Sequence, residues 1–142
     1  MSASMDRQDL GNEWGHAPDA AAIEAIARAA IARLPAEFGR HLRDVVFTVD
    51  EEADEETLAR LGLEHPLDLT GLYHGRPIGA KSVDDVATLP DRIHLYRQAI
   101  LAEWCETGVR LDDLVRHVTI HEIGHHFGLS DADMHALEDA GG

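Results

Sequence analysis

The chain has 142 residues, which suits one compact domain, and 44% of them are apolar, enough to build a core. Twenty-seven acidic residues against twelve basic ones give a formal charge of -15. That balance excludes the basic footprint that nucleic acid or an anionic membrane surface requires. A lone cysteine, Cys105, excludes an internal disulfide.

Residues 1–17 read as a polar, loose N-terminal tail, and 18–142 as the domain. No basic segment followed by an apolar run marks a secretory leader, and no run of 18 apolar residues marks a membrane span. A cytoplasmic monomer is therefore expected. Pro18 and Asp19 open a helix over 19–34, because Ile23, Ile26, Ala27, Ala30, Ile31 and Leu34 share one helical face. Pro35 stops it or starts a second turn through His41. The β-branched run Val45-Val46-Phe47-Thr48-Val49 predicts a strand. The acidic segment Asp50 to Glu56 leads into a short helix, with Leu58 and Leu61 inward and Gly62 at its end. The acidic surplus of the chain as a whole serves solubility or attracts cationic peptides.

Leu69 to Gly75 predicts a short strand near an edge or bulge. Gly75 to Pro90 is turn-rich and predicts a loop. Arg92 to Arg97 alternates polar and apolar residues and predicts a half-buried strand. Residues 98–107 predict a helix ending at Gly108, with Cys105 beside Trp104 as core. Leu111 to Phe127 predicts a long helix whose inward positions Leu111, Leu114, Val115 and Val118 run on to His121, Glu122 and His125. Gly128 breaks it. Ser130 and Asp133 form a capping box that starts a last helix from about Asp131 to Asp139. The order predicts an α+β domain, a small mixed sheet packed on helices that include the histidine-bearing one.

That long helix carries the chemistry. His121 and His125, at i and i+4, lie one turn apart on one face, so two imidazoles can meet at one tetrahedral ion. Glu122 is rotated by ~100° around the helix. It can lean over the ion without ligating it and act as a general base toward water. A third ligand is still needed. Gly128 can adopt the left-handed conformation that turns the chain back, which brings Asp131, a carboxylate and a legitimate zinc ligand, six residues after His125. His117, Asp133 and His135 are rivals that fit the turn less well. His126 points elsewhere, as a surface or supporting group. Zinc is preferred on ligand type, although a set of two histidines and an aspartate also accepts iron or manganese.

The span His121 to Asp131 matches H-E-x-x-H-x-x-G-x-x-D, the metzincin signature with Asp in place of the third His. More closely, the chain resembles the small bacterial zincin-like metallopeptidases, or minimal zincins. Gly71-Leu72-Tyr73 and Asp91-Arg92-Ile93 also look like that family. The resemblance implies a metalloprotease-like fold, a zinc cofactor, and hydrolysis of peptide bonds in a peptide or unfolded protein segment. It also implies that substrate adds as a strand along an edge, either Gly71 to Gly75 or Arg92 to Arg97. Tyr73 there is an oxyanion donor or an ordinary half-buried strand tyrosine. Only eleven residues follow Asp131 in this sequence, so the downstream methionine turn of larger metzincins is not expected in its usual form. Met134 either pads the site from beneath or is ordinary core. The alternative to a peptidase is a non-proteolytic zinc-binding domain with a structural or partner-binding role. Small rRNA-maturing endoribonucleases also present histidines one turn apart, but lack the glutamate after the first.

Overall fold

The structure, a computed structural model, describes residues 15–75 and 90–141. Most of the tail expected over 1–17, and the loop expected between Gly75 and Pro90, lie outside them. Among the described residues six α-helices and a three-stranded mixed sheet form the α+β arrangement that the element order predicted.

Helix α1 (Ala20–Ala32) starts where Asp19 accepts a hydrogen bond from the Ala22 N–H at 2.9 Å. Its buried stripe is Ile23, Ala27 and Ala30, with Leu34 just beyond. Pro35 precedes the short helix α2 (Ala36–Leu42). Strand β1 (Val46–Asp50) leads through Asp54, which caps the Thr57 N–H, into α3 (Glu55–Leu61). Leu58 is buried, but Leu61 is 45% exposed, so only one of the two leucines expected inward is. The three-residue spacing leaves them only ~60° apart around the axis, so the difference is one of position: Leu61 is the last residue of this seven-residue helix, beside the Gly62 cap, while Leu58 sits in its middle.

Strands β2 (Gly71–His74) and β3 (Arg92–Tyr96) complete the sheet in the order β1-β3-β2, with β1 parallel and β2 antiparallel to β3. Phe47 and Val49 stand beside Ile93 and Leu95 on one face, and this face meets α1 and α5 in the core. The other face carries Thr48, Leu72 and His94, where the His94 ring nitrogen lies 2.9 Å from the Thr48 hydroxyl and 3.0 Å from Asp50. Helix α4 (Arg97–Thr107) leaves Cys105 exposed rather than in the core, because its packed residues are Ala99 and Ile100.

Helix α5 (Leu111–Phe127) buries Leu114, Val115, Val118, Ile120 and Ile123. It ends at Gly128, whose φ of 70° is the left-handed conformation that the turn requires. Helix α6 (Asp131–Gly141) then folds back along α5. The capping box is present: the Asp133 N–H donates to Ser130 Oγ at 3.2 Å, and the Ser130 N–H donates to Asp133 at 3.4 Å.

Candidate active site

Two faces of α5 divide the labour. His117, His121 and His125 occupy successive turns of one face, with ring centres 4.7 Å apart for the first pair and 6.5 Å for the second. The face beside it, carrying Val118 and Glu122, lies against β2 at Gly71. A Cβ on Gly71 would stand 2.8 Å from Val118 Cγ1 and 3.2 Å from Glu122 Cγ, so strand and helix approach closely only because that residue is glycine. Gly71→Ala is expected to push β2 off α5 at a cost of about 1–3 kcal/mol. A lower denaturation midpoint checks this, and a variant with unchanged stability would contradict the close approach.

Burial is the main reason that the Glu122 carboxyl is pushed above the ordinary glutamate range. Opposing it are the nearby His125 and the Tyr73 backbone N–H, which donates to the Glu122 carboxylate. That donor is available because of the strand register. The Tyr96 N–H bonds to the Thr70 carbonyl, so alternation along the antiparallel pair turns Leu72 and His74 toward β3 and leaves Gly71 and Tyr73 facing the free edge. Burial also leads in holding His121 below the ordinary histidine range, helped by the neighbouring His117 and opposed chiefly by Glu138. The neutral imidazole so favoured is the form that binds a metal.

Of the expected ligands, His121 is half-buried, and His125 and Asp131 are exposed at the α5–α6 turn. Asp131 lies near enough to His121 to act on its charge. Among the described residues no group of three His, Cys, Asp or Glu side chains is drawn together as for an ion. Two imidazoles ~2.1 Å from a shared tetrahedral ion have ring centres ~5 Å apart. The observed 6.5 Å is within a side-chain rotation of that distance. The donor types suit zinc, and two of the three donors stand one turn apart near the end of α5, with Asp131 at the start of α6.

The other residues singled out in the sequence fall as follows. His117 Nδ1 is 2.8 Å from Glu138 on α6, and His135 lies 3.7 Å from the same carboxylate. Glu138 was not foreseen, although it stands seven residues after Asp131 and so shares its face of α6. His126 is 2% exposed, so it is a buried supporting group rather than a surface one. The Tyr73 hydroxyl donates to Asp91 at 2.9 Å, which commits it away from any oxyanion. Strand β3 is paired on both sides, so of the two stretches proposed for substrate only β2 has an edge left unpaired among the described residues. Met134 is 2% exposed and packs against Gly124, inside the motif.

A small mixed sheet with an edge strand laid against a histidine-bearing helix defines a compact zincin-like domain. The model of the zincin-like metallopeptidase family matches residues 42–141, and the chain belongs to that family. No curated protein matches it. Among the described residues no helix is long and apolar enough to cross a membrane.

Proposed function

We propose that this chain is a zinc-dependent peptidase in which His121, His125 and Asp131 hold the metal and Glu122 is the general base. The observation that carries the reading is the placement of Glu122. It stands one residue from His121, is largely removed from water, and rests on the free edge of β2. Bound zinc supplies Lewis acidity toward water and the scissile carbonyl. An extended peptide, or an unfolded protein segment, adds along β2 by main-chain hydrogen bonds. Glu122, ionised, takes a proton from the water that attacks the peptide carbonyl carbon. It then delivers that proton to the amide nitrogen as the C–N bond breaks, so that an acid and an amine leave. A carboxyl raised by burial suits both steps, since a base works best with a pKa near the working pH.

The test is elemental mass spectrometry on protein purified without chelator or histidine tag, for the wild type beside Asp131→Ala, followed by cleavage of a peptide library. About one zinc per wild-type chain, less in the variant, and zinc-dependent cleavage are expected. Zinc without cleavage would leave the non-proteolytic zinc-binding domain. No metal in the wild type, even after zinc is added back, would remove the enzyme reading.

A further inference from the structure

One buried polar cluster has no part in the chemistry so far described. Asp91 is 5% exposed and His126 2% exposed, and ionisable groups so buried are costly unless paired. His126 Nδ1 lies 2.9 Å from Asp91 Oδ2, and the Tyr73 hydroxyl donates to the same oxygen at 2.9 Å. Gly75 makes room for this carboxylate, because a Cβ there would collide with it. The cluster joins three parts of the fold: Tyr73 on β2, Asp91 at the entry to β3, and His126 on α5. His126 follows Glu122 by one helical turn, so both side chains address β2 from the same side of α5. Each grips Tyr73 at a different end. The phenol is held through Asp91 to His126, and the backbone N–H is held by the Glu122 carboxylate.

We propose that Asp91 is a positioning residue for Glu122: through its close contact with His126 and the hydrogen bond it accepts from Tyr73 it fixes the edge strand whose Tyr73 N–H holds the Glu122 carboxylate. The proposal rests on the reading of Glu122 as the base. It has a physical motive. A glutamate side chain has several rotatable bonds, and β2 is a four-residue strand that pairs on one side only among the described residues. Neither would hold the other still. Anchoring Tyr73 to a residue on the same helix as Glu122 closes a loop of contacts that removes this freedom. Without the Asp91 carboxylate, the Tyr73 side chain is kept by packing on Ile93 and the His126 ring, 5.7 Å away.

The test is backbone amide hydrogen exchange by NMR on the full-length, nitrogen-15-labelled chain, with neither zinc nor peptide added. In the wild type the residue 73 amide, although it faces off a free edge, is expected to be protected. Glu122→Ala should speed its exchange roughly tenfold to hundredfold, the loss of a hydrogen bond to a charged group. Tyr73→Phe, the mildest change in the cluster, and Asp91→Asn should each speed it at least about tenfold, while the ladder amides of Leu72 and His94 keep their protection. In a cleavage assay Tyr73→Phe should lower kcat with KM held. An unprotected residue 73 amide in the wild type would overturn the proposal. So would a rate unmoved by Tyr73→Phe, or an acceleration shared by every sheet amide, which marks a merely structural cluster. The exchange readout needs no turnover. A chain that binds no zinc and cuts no peptide therefore fails the peptidase reading while these rates still decide whether Asp91 fixes Tyr73 and Glu122.

Discussion

Glu122→Gln is expected to keep bound zinc and to lose peptide cleavage by roughly 10²–10⁴-fold, the usual contribution of a positioned acid–base group. Glutamine has the shape of glutamate, so it still fits against Gly71, and its amide oxygen can still accept the Tyr73 N–H. None of the three expected ligands is changed. What disappears is a group able to take a proton and give it back. The loss should therefore appear in kcat, with KM little altered, because the missing interaction belongs to the transition state rather than to the bound substrate. Zinc content and initial rates measured on the same preparations check this. Equal cleavage by variant and wild type, at equal zinc, would remove Glu122 from the chemistry.

The second large effect is expected in the packing beneath the motif. Gly124 lies between Glu122 and His125 and faces α6, where a Cβ would run into the Met134 sulfur and come within 2.5 Å of its Cγ. Alanine normally favours a helix interior over glycine by up to about 1 kcal/mol. Here the collision should win, since overfilling a tight contact costs about 1–3 kcal/mol or more. Gly124→Ala is thus expected to lower the melting temperature by roughly 2–8 °C. It should also weaken zinc binding, because α6 carries Asp131 in the same first turns as Met134 and must move away from α5. Met134→Ala alone opens a cavity and costs about 2–5 kcal/mol. The double variant should be more stable than the sum of the two losses implies, since each change relieves part of the other. Strict additivity would show that the two residues do not meet.

Met134 also shows where reading a sequence stops. Its helix is marked by the Ser130–Asp133 box, and both that box and the burial of Met134 appear in the structure. That it fills the space of a missing side chain at Gly124 depends on how two helices pack across a turn. No spacing in the chain encodes that. Asp91 is a stronger case. As a single acidic residue beside Pro90 it has the look of surface, yet it is buried against a tyrosine and a histidine far away in the sequence. His126 looks equally ordinary until β2 is placed beside it.

By itself the sequence determined the helices and their ends. A helical period repeats every few residues, and its caps lie within one turn: Asp19, Asp54 and Ser130 at starts, and Gly62, Gly108 and Gly128 at ends with φ of 70–72°. The same local geometry set His121 and His125 on one face of α5, with Glu122 beside them. Tertiary structure alone decided which strand has a free edge, which leucine of α3 faces solvent, and which groups hold Glu122. Those outcomes come from contacts between residues distant in the chain. The free energy that selects them is shared among packing, strand pairing and the burial of paired charges, and a local pattern of residue types records none of these.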